Sequence, residues 1–191
     1  MTTYPISDLL DAAARRALPV VRGVSDDRLG DPTPCRDYTV ADLTNHLFQV
    51  VVNFQALAAK EAVTWPEAPD HLHGDWRAGL GTETERLSKA WAAPGSEEGV
   101  SPGMGLPSRA VGQMALLDLT VHAWDLARAT GQDFDPAPEV LPDLEELVAM
   151  MGPTGRGMGV FGEPVDPAPD AGRFERLLAS TGRDPGWTRP V

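Results

Sequence analysis

Residues 107–131 read PSRAVGQMALLDLTVHAWDLARATG, from Pro107 to Gly131, and this stretch decides the fold. Pro107 and Ser108 suit the first turn of a helix, and Gly131 suits the residue just past its end. At about 1.5 Å per residue the spacing predicts a rod roughly 35 Å long, longer than an average globular helix. Met114, Leu117, Val121 and Trp124 form one apolar line, widened by Leu116, Leu119, Ala123 and Leu126. Asp118, His122 and Asp125 follow at spacings of four and three, so they share a face beside that line and not opposite it. Carboxylates and an imidazole at the edge of a buried stripe call for a hydrogen-bonded pair or a metal ion.

The flanking sequence supplies partners for this rod. Ile6 to Val21 predicts an amphipathic helix with Ser7 as its cap and Pro19 as its end or kink. A proline-containing loop, Asp26 to Tyr38, precedes Thr39, which caps a second helix with Asp42 completing the capping box. That helix runs to about Ala62 with Leu43, Leu47, Val50, Phe54 and Leu57 inward and His46 near the edge of their line. Thr64 to Asp70 is a proline-stiffened linker, and Leu72 to Ala93 predicts a third helix weakened by Gly79 and Gly81. Past Gly131, Pro136 to Met151 offers a fifth helix. Gly152 to Gly162 reads as too glycine-rich for regular structure, and a short helix follows around Arg173 to Ser180. No repeat and no alternating strand pattern interrupts this series. The expected fold is all-α: an up-down four-helix bundle with additional C-terminal helices. It is expected as a single domain over residues 1–191, the core bundle at about 5–131 and the extension at about 132–191.

Composition narrows the partners. A net charge of −12 repels nucleic acid and anionic membranes, and no run approaches the roughly 20 apolar residues that span a bilayer. No basic region with an apolar block marks a secretory signal. Cys35 is the single cysteine, so no internal disulfide framework exists and a reducing cytoplasm is the expected compartment.

His46, Asp118 and His122 are the candidate metal ligands. Two imidazoles and one carboxylate, with further positions left to water or substrate, form a catalytic zinc arrangement; the same trio serves as an iron facial triad. Asp118 and His122 lie one helical turn apart, and His46 comes from a neighbouring helix. On spacing alone, a hydrogen-bonded or solvent-facing Asp–His pair remains the competing reading. Asp125 is placed to fix a ligand histidine's tautomer, or equally to bond backbone or an arginine across the bundle. Trp124 reads as core or interface, and Cys35 as a structural loop residue. His71 and His73 are set outside the ligand group, although either would close the coordination shell if it reached the ion. No paired-glutamate repeat and no His-Glu-x-x-His sequence supports dinuclear oxidation or zincin proteolysis.

Several segments together carry a family resemblance. DYTVADLTNHLFQ follows the Thr33–Cys35 TPC, then come LLDLTVHAWDLARATG, VFGEPV and LLASTGRDPGW. In this order they resemble the actinobacterial metal-binding proteins related to mycothiol-dependent maleylpyruvate isomerase, in the DinB/YfiT-like group, over nearly the whole chain. The resemblance puts the family's early histidine at His46, its acidic helix ligand at Asp118 and its later histidine at His122. The isomerase branch is similar but uses glutamate at the Asp118 position. Its separate C-terminal domain is expected to be missing or reduced here, which points away from the isomerase reaction itself.

The resemblance implies one divalent ion, Zn2+ expected, with Ni2+, Fe2+ or Mn2+ as alternatives. It also implies a low-molecular-weight thiol, mycothiol, as cosubstrate. The expected function is a zinc-dependent thiol-using transferase or isomerase, with a small molecule as partner and the chain a monomer or homodimer. The alternatives are a non-catalytic metal or small-ligand binding module and a dimerising structural protein with a vestigial triad.

Overall fold

The computed structural model describes residues 3–36, 38–65 and 70–190. Within them the chain forms α1 (Ile6–Gly23), a 3-10 turn (Asp26–Arg28), α2 (Val40–Ala58), α3 (Trp76–Trp91) and a hairpin of β1 (Val100–Ser101) with β2 (Leu106–Pro107). There follow α4 (Ser108–Thr130), a second 3-10 turn (Pro138–Val140), α5 (Leu141–Gly157) and α6 (Arg173–Ser180). The fold is the expected up-down helical bundle with extra C-terminal helices. Residues 66–69 of the expected linker lie outside the described residues.

α1 packs against α3 and α4, and α2 against the same two helices, so α1 and α2 face each other across the bundle. The loop joining α1 to α2 therefore crosses one end of the bundle instead of making a tight hairpin. α4 is buried along nearly its whole length, because α1, α2, α5 and the β-hairpin all pack on it. A helix enclosed on all sides has apolar residues all round, which explains the breadth of its apolar stripe.

Local chemistry fixes the helix ends. Thr39 Oγ1 accepts from the Asp42 N–H at 3.2 Å while the Asp42 carboxylate accepts from the Thr39 N–H at 3.0 Å, the reciprocal box read from sequence. Gly131 ends α4 at φ 74°, a left-handed conformation that costs glycine nothing. The start of α1 differs from expectation. Ser7 caps nothing; the Ile6 N–H donates instead to Glu97 Oε1 at 2.8 Å, a carboxylate from the loop after α3. Pro19 stays inside α1, which continues to Gly23.

Gly112 faces close packing from two neighbouring helices. A Cβ there would lie 2.8 Å from Ile6 Cγ2 and 2.9 Å from Trp91 Cζ3, so α1, α3 and α4 converge on its bare Cα.

Two departures concern the second half. The β-hairpin is new: two residues per strand are too few to show an alternating pattern. The glycine-rich stretch is also more regular than expected, since α5 runs through Gly152 to Gly157. Burial of Gly152 and Gly155 offsets their poor helix propensity, and Phe161 folds back on Gly155, where a Cβ would meet its ring at 2.7 Å.

The C-terminal part docks through α4. Arg109 and Gln113 on α4 both donate to Asp143 Oδ1 on α5, at 2.6 and 3.0 Å, and Arg109 also pairs with Glu97. Farther along, Arg128 donates to the Trp187 carbonyl at 2.7 Å, and Arg189 reaches Asp31 at 2.6 Å in the α1–α2 loop. The tail is thereby drawn across the end of the bundle where α2 begins. No helix of the described residues is long and apolar enough to cross a membrane.

Candidate metal centre

α2 and α4 bring the three candidate ligands together. His46 stands about two turns into α2, and Asp118 and His122 are one turn apart on α4. One ligand atom from each of His46, Asp118 and His122 lies within 4.8 Å of the others. They open into a cavity of about 330 Å³ whose wall also includes Tyr38, Leu117, Val121 and Phe161.

His122 is oriented from behind. Its Nδ1 lies 2.9 Å from Asp125 Oδ2. An ionised carboxylate only accepts, so Nδ1 carries a proton, and in the neutral ring this leaves the Nε2 lone pair toward the cavity. Nε2 sits 3.6 Å from Asp118 Oδ1, and the ring meets His46 edge to face with centroids 5.1 Å apart. In a tetrahedral site with metal–ligand bonds of about 2.0–2.1 Å, neighbouring ligand atoms are about 3.4 Å apart. The observed spacing suits ligands arranged around a small cation better than a direct hydrogen bond.

Asp125 is held in turn by Arg183, contributed by the tail after α6. Its Nε is 3.2 Å from both Asp125 oxygens and its Nη2 is 3.1 Å from Oδ2. Asp125 is fully buried and Arg183 nearly so. Burial alone would raise the Asp125 pKa, but Arg183 and the hydrogen bond from His122 hold it below the ordinary carboxylate value. Burial likewise works against the Arg183 charge, and the Asp125 carboxylate outweighs it, raising the guanidinium pKa. The two charges cancel inside the protein, leaving Asp118 as the anion that faces the cavity.

His46 stacks on Tyr38 at 5.6 Å between centroids, which fixes its ring plane. Burial lowers its pKa, with His122 and Arg183 adding to the effect and Asp118 opposing it. A neutral imidazole is the form that offers a lone pair to a cation.

Among the described residues the cluster has three members, and neither His71 nor His73 joins it. The His71 ring stacks on Phe48 at 5.2 Å, and His73 pairs with Asp70 on the surface. Trp124 is buried, as expected of a core residue. Cys35, expected to be structural, lines the same cavity as the cluster. Asp125 bonds a histidine and an arginine at once, His122 on its own helix and Arg183 from the tail. Arg183 itself escaped the sequence reading: it follows Gly182 outside any helix, so no periodicity aims it at the site.

Comparison with known proteins places the bundle in a family. Two proteins of Mycobacterium tuberculosis, Uncharacterized protein MT0763 of strain CDC 1551 / Oshkosh and Uncharacterized protein Rv0738 of strain H37Rv, are each 36% identical over 146 residues. Each alignment covers 73% of this chain and 76% of the relative. No solved structure is significantly similar. Residues 10–127, which include His46, Asp118, His122 and Asp125, match the mycothiol maleylpyruvate isomerase N-terminal domain family. With a fold, a three-residue cluster and a sequence match in agreement, the chain belongs to that family.

Proposed function

We propose that this protein is a mononuclear metal- and small-ligand-binding protein whose ion is held by His46, Asp118 and His122. Zn2+ is the expected ion, given two nitrogen donors and one carboxylate. The observation that carries this reading is the convergence of three ligand atoms within 4.8 Å in a cavity wall, with His122 pre-oriented by Asp125. Three protein ligands are one fewer than a closed tetrahedral zinc site uses, which favours a site that takes an exogenous ligand.

The chain's own residues prepare that ligand position. Arg183 keeps Asp125 ionised, Asp125 keeps the proton on His122 Nδ1, and Asp118 supplies the negative charge that attracts a cation. Leu117, Val121 and Phe161 line the cavity and limit its access to water. A divalent ion bound there would supply Lewis acidity, lowering the pKa of a thiol or water at the remaining position. The family's name supports a thiol in that role, with mycothiol as the cosubstrate, and the reaction proposed is thiol transfer or isomerisation.

Elemental analysis of protein purified without a polyhistidine tag should give about one divalent ion per chain, as a three-ligand site requires. Full metal content in the double variant His46→Ala/His122→Ala would overturn the ligand assignment. Adding millimolar mycothiol or a simple thiol to cobalt-substituted protein should produce a sulfur-to-metal charge-transfer band. An unchanged spectrum, with four protein ligands by X-ray absorption, would favour the non-catalytic binding module.

A further inference from the structure

A second cavity of about 390 Å³ adjoins the first, and Leu117, Asp118, Val160 and Phe161 line both. It lies between α4, α5 and the β-hairpin, and four of the protein's six methionines line it: Met104, Met114, Met151 and Met158. Among the described residues of its wall, Asp118 is the one charged group and Thr154 the one other polar side chain. Its volume falls in the range of small-molecule sites. Methionines make such a wall adaptable, because their unbranched, polarisable side chains repack around differently shaped apolar groups.

We propose that this cavity binds the apolar part, an alkyl or aryl group, of the small molecule whose reactive end lies at the His46–Asp118–His122 cluster. The inference rests on the metal- and ligand-binding reading of that cluster. Its support is the shared wall: a ligand seated beside Asp118 and extending past Leu117 and Phe161 enters the methionine-lined space directly. The same chemistry excludes a dicarboxylate such as maleylpyruvate from this space. A carboxylate there would lose its hydration with no cation to receive it. Arg183, the one cation in either wall among the described residues, already has its guanidinium on Asp125.

The test uses full-length metal-free protein carrying ¹³C-methyl methionine and n-alkanols from butanol to octanol as probes. The methyl signals of Met104, Met114, Met151 and Met158 should shift, while that of Met150, half exposed and outside the wall, should stay in place. Burial of each added methylene should tighten binding about fourfold. Thr154→Trp and Met158→Trp, at exposed rim positions, should abolish the shifts while leaving the melting curve unchanged. Alkanol binding without dependence on chain length, or without shifts at the four lining methionines, would overturn the proposal. Methyl shifts that follow protein concentration instead of alcohol would assign the cavity to a contact between copies, and would overturn it too. In cobalt-loaded protein, hexanethiol should give its charge-transfer band at lower concentration than ethanethiol; equal concentrations would refute a ligand spanning both cavities. The alkanol experiment is repeated in His46→Ala/His122→Ala. Persistence of binding there supports the cavity even if the metal assignment fails, so the two failures are distinguishable.

Discussion

Arg183 and Asp125, 58 residues apart in sequence, form a buried ion pair with three N–O contacts of 3.1 to 3.2 Å, and Asp125 passes that constraint on to His122 at 2.9 Å. Arg183 lines the cavity, while Asp125 is fully buried and does not. Asp118 then remains as the single uncompensated anion of the cluster. An ion pair so deep is worth little against an apolar replacement, but removing one partner strands the other.

Arg183→Met should therefore destabilise the protein by about 3–5 kcal/mol, the usual cost of a buried charge left unpaired. The double variant Asp125→Asn/Arg183→Met should recover part of that loss. Urea denaturation of the four members of the cycle measures the coupling, and strict additivity would contradict it. By contrast Arg189→Ala, which breaks a partly exposed pair with Asp31, should cost no more than about 1 kcal/mol.

Metal affinity should respond to the same chain of contacts. Asp125→Asn keeps an acceptor for His122 Nδ1 but removes the charge, and should weaken binding about tenfold or more. Asp118→Ala, which deletes a donor and the cluster's net charge, should weaken it further. Competition against a chromogenic chelator reads both; unchanged affinity in Asp118→Ala would remove it from the ligand set.

Acid should destabilise the metal-free protein through His46. Burial holds its imidazole below the ordinary value of about 6.5, so the unfolded chain takes up the proton first as pH falls. Stability from this group is complete above about pH 6.5 and is lost as pH falls toward the folded-state value. Urea midpoints recorded from about pH 8 to about pH 5 should decline in the wild type and decline less in His46→Gln. Parallel curves would show that burial of this imidazole does not set the dependence.

Gly112→Ala should destabilise the bundle by about 1–3 kcal/mol, because its methyl must displace Ile6 or Trp91 in a close-packed core. Ile6→Ala, which deletes both γ carbons at that contact, should cost less in the Gly112→Ala chain than in the wild type. Thermal melts of the single and double variants test this, and an unaffected single variant would mean that the three helices separate without cost.

The sequence by itself determined the helical class, the capping box at Thr39 and Asp42, the glycine end of α4, and α6 at Arg173–Ser180. These depend on residues a few positions apart, whose spacing and hydrogen-bonding chemistry act within one element. The alignment of Asp118, His122 and Asp125 on one face was legible for the same reason. The family resemblance had named His46 as a partner of that face, and the tertiary structure supplies the reason they meet: α2 packs on α4 while α1 crosses to the opposite corner. The tertiary structure alone placed Glu97 at the start of α1, Phe161 against Gly155 and Arg183 on Asp125. Such partners lie tens of residues apart and outside any periodic pattern. Their energy comes from burial and charge compensation that exist only once the chain has closed around them.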